Sequence, residues 1–407
     1  MPIPRLKQFD STFAFFGEGY GFTASRCRRL GSDAFRTHLL LRPVICMKGE
    51  EAARRFYDGE SFTRRGALPP TTLRLLQDKG IVQQLDGEAH RLRRALFLWL
   101  LTGEEVGRIV QLFDQRWREA KAQWRRQGRI VLHDAMTRLL CDTACAWAGV
   151  PVQGEALTRR TEEMASMVGG AGSVGPKAWR ALMLRRRAER WAREQILLAR
   201  QRTGGEQPVD RIAHFRGPDG AVLDPCVAAV ELINLIRPTV AVARFITFGA
   251  LALHEHGSAA AWLEEDEEAH LAAFADEVRR FYPFFPVIGG RVRQPFSWHG
   301  HPFRTGDWVL LDLHGTDHDP ALWGDPDRFR PARFAERAPT AFDLIPQGVG
   351  DHARRHRCPG EWFTKALIAR SVTLLRELDG AVPPQDLSIP LNRFPTLPRS
   401  GLVLELG

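Results

Sequence analysis

Residues 226–254 leave the fold the least freedom: they are almost wholly apolar and long enough to cross a bilayer as one helix. Glu231, Asn234, Arg237, Pro238 and Arg244 interrupt the run, and ionisable groups in hydrocarbon are costly. The run therefore reads as a long helix buried in a soluble core. Asp224-Pro225 supplies its start, a capping carboxylate followed by a proline in the first turn. Such a helix must be enclosed by other helices, which implies one large, mainly α unit. No linker divides the 407 residues.

Arg237-Pro238 is the anomaly inside that helix. A proline removes one backbone hydrogen bond and opens a kink. A buried guanidinium is costly unless an anion pairs with it. No acid stands three or four residues away, so its partner is a tertiary ion pair, a cofactor carboxylate or a substrate carboxylate. Arg244, seven residues on, shares roughly the same face and has no evident role.

The net charge of +9 raises the question of nucleic acid. Its cations are spread along the chain among many acids, and the densest stretch, 179–190, reads as a solvated amphipathic face. No nucleic-acid partner is expected. Six scattered cysteines suit a reducing compartment. Cys141 and Cys145 lie one helical turn apart without a second ligand pair, and read as buried structural thiols. The first ten residues hold no continuous apolar region, so neither a signal peptide nor a stable membrane anchor is expected, and the location is cytoplasmic. Residues 34–46 are strand-like and place a small sheet in a β-containing lobe of about residues 1–90. Residues 168–176 match a dinucleotide fingerprint only formally, since no strand precedes them; they read as a lid between helices.

Chemistry enters at Gly350-Asp-His-Ala-Arg-Arg-His-Arg-Cys358-Pro-Gly360-Glu, a basic, Gly-containing loop that runs into an apolar periodic segment. A helix N-terminus and neighbouring cations favour a thiolate at Cys358, as an axial iron ligand requires. Upstream, Glu277-Val-Arg-Arg280 places a carboxylate and a guanidinium one turn apart, and Arg333 in Pro331-Ala-Arg333-Phe334 offers a second guanidinium. These three motifs in this order resemble the cytochrome P450 superfamily. The resemblance implies the mainly α fold with small β-sheets of that superfamily. Haem b (protoporphyrin IX iron) lies between a long distal helix, about 224–255, and the Cys loop, 346–360, with its following helix. The whole chain, 1–407, is then one domain.

Arg237-Pro238 stands where most of the superfamily carries an acid–alcohol pair, and with its flanks resembles the bacterial fatty-acid peroxygenase branch. Asp351 and Arg354 occupy the usual Phe and Gly positions before the cysteine, and this branch's longer loop accommodates them. The resemblance implies hydroxylation of fatty acids at Cα or Cβ with hydrogen peroxide, no redox partner being required. Cys358 is implied as the iron ligand, with Arg64, His90, Arg94 and His356 at the haem. Arg237, Pro238 and Gln83 are implied at the substrate, Glu277, Arg280 and Arg333 in a structural cluster, and Phe284 and Phe285 as walls. A ferredoxin-fed monooxygenase, docking on Arg354, Arg355 and Arg357, and a fatty-acid carrier without turnover are the alternatives.

Overall fold

Helices dominate, and they gather around the apolar run as its burial demands. The computed structural model describes residues 3–57, 59–78, 80–202 and 204–407. Asp224 caps the central helix, its carboxylate accepting from the N–H groups of Cys226 (2.8 Å) and Val227 (3.4 Å). The run forms two segments, Pro225–Ala241 and Ala243–Glu255, with the break at Val242 just past Pro238. Thr239 turns its hydroxyl back onto the Leu235 carbonyl at 2.9 Å, a bond that helps bend a helix. Leu132–Trp147, Gly154–Gly169 and Pro176–Arg200 pack along the first segment, and Leu132–Trp147 continues along the second beside Glu361–Arg376. The one helical run among the described residues apolar enough to span a membrane is thus a core element.

The strand-like residues 34–46 form a hairpin within a small sheet, as their content implies. Ala34–Leu39 pairs antiparallel with Arg42–Met47, and Leu40 and Leu41 take left-handed φ angles of 52° and 60° at the turn. The sheet is not built from the N-terminal region alone. Arg42–Met47 pairs parallel with Trp308–Asp312, which pairs antiparallel with Val287–Val292, and Phe62–Thr63 closes the far edge. Of the segment expected as a lid, 168–176, residues 170–175 connect Gly154–Gly169 to Pro176–Arg200, while 168, 169 and 176 belong to those helices. Cys141 and Cys145 are fully buried in Leu132–Trp147, and no metal-binding cluster of His, Cys, Asp or Glu occurs among the described residues.

Glu277 and Arg280 face each other on Glu267–Phe281 through two bonds of 2.8 Å, both side chains fully buried. Arg333, from the short helix Ala332–Glu336, reaches the same carboxylate at 3.2 Å. Arg280 also donates to the carbonyls of Asp317 (2.9 Å) and Pro326 (3.0 Å), and Arg333 to that of Trp323 (2.8 Å). One carboxylate and two forks thus pin the meander 317–333 to the helix that leads into the sheet. Removing one partner of such a cluster strands buried charge. Glu277→Gln should lower stability by about 3–5 kcal/mol, read as an earlier urea midpoint; an unchanged midpoint would show the cluster is replaceable.

Candidate haem and substrate site

Below the kinked helix lies a cavity of about 310 Å³. Its floor is the Cys loop. Gly348 has φ 80°, and a Cβ there would come within 2.6 Å of the Tyr57 hydroxyl, so the bend needs glycine. Asp351 accepts from the N–H groups of Ala353 (2.7 Å) and Arg354 (3.2 Å), which accounts for an acid at an unusual loop position. The Cys358 N–H donates to the Gln347 carbonyl at 2.9 Å, two residues before the helix Glu361–Arg376 begins its cap.

Burial pushes the Cys358 thiol up, and the Gly360 N–H, Arg94 and the Gln347 side chain oppose it. This corrects the expectation that the helix end and cations alone favour a thiolate: both are present, and burial outweighs them. A sulfur so placed ionises on meeting a metal, whose ligands must be deprotonated. Glu361 braces the loop. It accepts from Arg279 (2.7 Å), Arg357 (2.7 Å) and the His352 ring (3.1 Å). Burial would raise its carboxyl, but Arg279, His352 and Arg357 hold it well below the usual range.

Arg64, His90, Arg94 and His356 line the same cavity beside Cys358. Arg64 donates to the Gly289 carbonyl at 2.9 Å, and Arg94 to the carbonyls of His352 (2.6 Å) and Arg357. The His90 and His356 rings lie 4.2 Å apart, and His90 Nε2 is buried without a partner. Burial, with Arg94 adding, lowers His90 to about 4, and burial drives His356 well below its usual value, so both are neutral donors. Two guanidiniums and two imidazoles without a protein carboxylate, beside a cysteine, fit the two propionates and iron of a haem. Phe284 and Phe285 form cavity walls, and Val168 at the lid's root lines the cavity too.

Arg237, Pro238 and Gln83 open on the same space. The Arg237 guanidinium is buried and bound only by neutral acceptors: the carbonyls of Leu75 (3.3 Å) and Leu76, and Asn234 Oδ1 (3.0 Å). Burial first, then the charge of Arg185, lowers its pKa, while Glu231 raises it. Three of its five N–H donors are engaged, leaving two for a ligand. Behind it stands a relay absent from the sequence reading. Asn234 Nδ2 donates to Glu231 Oε2 (3.0 Å) and Gln83 Oε1 (3.4 Å), and Glu231 Oε1 accepts from Arg93 (2.6 Å) and the Val82 N–H (2.9 Å). The spacing of 231, 234 and 237 along one face of an apolar helix was the available signal. Arg244 is buried, with no hydrogen bond or carboxylate partner among the described residues, near Tyr20 and 3.9 Å from a Cβ built at Gly169.

The cytochrome P450 family model matches residues 270–387. Cytochrome P450SP alpha (CYP152B1) in complex with (R)-ibuprophen is 42% identical, with 98% of each chain covered and a TM-score of 0.94. Cytochrome P450EX alpha (CYP152N1) with myristic acid is 39% identical, covering 100% of this chain and 98% of that one, with a TM-score of 0.94. A variant of cytochrome P450 OleT in complex with arachidonic acid is 31% identical over 100% of this chain and 98% of that chain, with a TM-score of 0.95. Among curated proteins, (+)-menthofuran synthase of Mentha piperita is 32% identical over 120 residues, 28% of this chain and 24% of that protein. Cytochrome P450 4A11 of Homo sapiens is 29% identical over 154 residues, 37% of this chain and 29% of that protein. The chain spans about a quarter of the length of these curated relatives. A cavity with a cysteine at its floor and a buried Glu–Arg–Arg cluster defines a haem-thiolate oxidoreductase. The chain belongs to the cytochrome P450 family, and the CYP152 structures match it end to end.

Loss of the relay is testable apart from loss of Arg237. Glu231→Gln can keep the hydrogen bond from Asn234, but it turns an NH2 donor toward the Arg93 and Val82 donors and removes a charge near Arg237. Fatty-acid binding, followed by the shift of the haem absorption band, should weaken about tenfold, the worth of one charged hydrogen bond. Unchanged affinity would separate Glu231 from the site.

Proposed function

We propose that this protein hydroxylates fatty acids at Cα or Cβ with hydrogen peroxide, using the substrate's own carboxylate as the acid–base group. The observation that carries this reading is the cavity's charge pattern. Arg64, Arg94 and Arg237 line it, and among the described residues no aspartate or glutamate does. The CYP152 structures solved with myristic and arachidonic acid support a carboxylate-bearing ligand.

Cys358 would ligate the iron, and Arg64, Arg94, His90 and His356 would hold the propionates. The bound haem supplies the oxidising chemistry: one peroxide oxygen enters a C–H bond, and the other leaves as water. Arg237 binds the substrate carboxylate with its two free N–H groups, a charge-assisted pairing. Leu75, Leu76 and Asn234 fix the guanidinium's plane, so the carboxylate's place is set before substrate arrives. The carboxylate accepts one peroxide proton and returns it to the departing oxygen. Pinning the acid end leaves Cα and Cβ as the nearest carbons. Gln83, held by Asn234, hydrogen-bonds but does not titrate near neutrality.

Purified, haem-loaded protein should convert a saturated fatty acid with hydrogen peroxide alone, and Arg237→Leu should lose nearly all of it. Turnover that needs a ferredoxin and reductase would favour the monooxygenase reading, for which Arg354 is exposed but Arg357 is engaged with Glu361. Spectral binding without product would mark a carrier. A methyl ester should react poorly with the native protein; equal rates would remove the carboxylate from the mechanism.

The products follow from the same geometry. Hydroxylation keeps the carboxyl group. Decarboxylation releases carbon dioxide and two waters per peroxide and leaves a terminal alkene. With an amide at position 83, 2- or 3-hydroxy acids should dominate by mass spectrometry. An excess of alkene would show that Gln83 does not decide the outcome.

A further inference from the structure

The five most exposed large apolar side chains of the described residues fall in three neighbouring segments. Phe13 is 92% exposed, Val174 83%, Phe9 74%, Leu41 73% and Trp179 69%. Contacts tie the segments to one face. The Phe9 ring stacks on His38 at 5.7 Å, and the N–H groups of Leu40 and Leu41 donate to Thr12 Oγ1 (2.6 Å) and Asp10 Oδ2 (2.8 Å). Phe16, on the helix Thr12–Glu18, lies 6.4 Å from the Phe394 ring, and a Cβ at Gly172 would sit 2.9 Å from Phe394 Cβ. Gly172 leads into Val174, and Trp179 opens the following helix. The hairpin tip adds an independent sign. Leu40 and Leu41 both hold left-handed φ, where glycine or asparagine is the ordinary choice, and both are exposed. Backbone cost at solvent-facing leucines points to a role outside folding.

Cations predominate around this face, with Asp307 lining one groove beside Arg5 and Arg36. Arg5, Lys7, Arg36, Arg42, Lys177 and Arg393 are exposed, and none of them forms an ion pair among the described residues. The acids of the same segments are engaged: Asp10 by the Thr12 and Leu41 N–H groups, Glu18 by Arg26. Apolar tips rimmed by unpaired cations match a surface of acyl chains under anionic headgroups.

We propose that this face seats reversibly on an anionic lipid bilayer, with Phe13, Leu41 and Val174 in the headgroup–acyl boundary. Val168, at the root of the same lid, lines the acyl cavity, so a seated molecule would present its lid to the phase in which fatty acids dissolve. That benefit rests on the proposed substrate, whereas the seating does not.

Holoprotein should sediment with phosphatidylglycerol vesicles and not with phosphatidylcholine vesicles, and raised salt should release it. Phe13→Ser with Leu41→Ser should cut the apparent affinity at least ~10-fold, because the buried apolar area sets the binding. Both side chains are exposed, so the melting temperature and turnover of a dissolved short-chain acid should not change. Those two readouts separate failure of the seating from failure of the proposed activity. Absence of binding, equal binding to both vesicles, or full binding by the double variant would overturn the proposal. So would vesicle-independent self-association abolished by the same substitutions, which would make a second copy the occupant.

Discussion

A buried guanidinium must find negative charge or strong acceptors, and this chain answers that demand in two ways. Arg280 and Arg333 share the fully buried carboxylate of Glu277, while Arg279 and Arg357 share Glu361. These arginines are ion-paired within the protein and act as ties, one set holding the meander and the other the Cys loop. Arg64, Arg94 and Arg237 form no ion pair among the described residues, their hydrogen bonds go to carbonyl and amide oxygens, and all three face the cavity. Structural and ligand-binding arginines thus differ in their counter-charge more than in their burial.

Pro238 is where that division is made. A straight, fully bonded helix would pass through the core as an apolar rod, whereas this one breaks at Val242. Arg237 lies just before the proline, where its guanidinium reaches the carbonyls that end the helix Pro70–Leu76. Those end carbonyls carry the negative pole of that short helix and partly offset the charge. Asn234 and Glu231 extend the hold to Arg93, on Gly87–Leu101, the helix that also carries His90 and Arg94. Arg237 and the helix that carries His90 and Arg94 are therefore positioned by one connected set of bonds.

Much of this was legible in the sequence. The capped apolar run, the Cys-Pro-Gly loop, the Glu277, Arg280 and Arg333 cluster and the lid glycines all lie where local pattern placed them. What was not legible required tertiary contact. The strand-like content of residues 34–46 gave no sign of a turn, because leucines fill it, held there by Asp10 and Thr12. The sheet gained strands from residues 287–312 because parallel pairing between distant segments leaves no local signature. The Cys358 thiol was misjudged because loop composition reports cations and helix ends, but not burial. Arg244 remained without a role in sequence, and its burial beside Tyr20 and Gly169 supplies no carboxylate.

The arrangement also constrains where protons can reside. His90 and His356 are the cavity's groups that titrate nearest neutrality, yet burial among Arg64 and Arg94 keeps both unprotonated. Thr239 lines the cavity, but its hydroxyl is committed to Leu235. The remaining lining is apolar, amide, guanidinium or thiol, and none of these shuttles a proton near pH 7. A reaction that must move a proton across this cavity therefore has to import its base. The two free donors of Arg237 match the geometry of a planar carboxylate, the group that the proposed mechanism draws from its substrate.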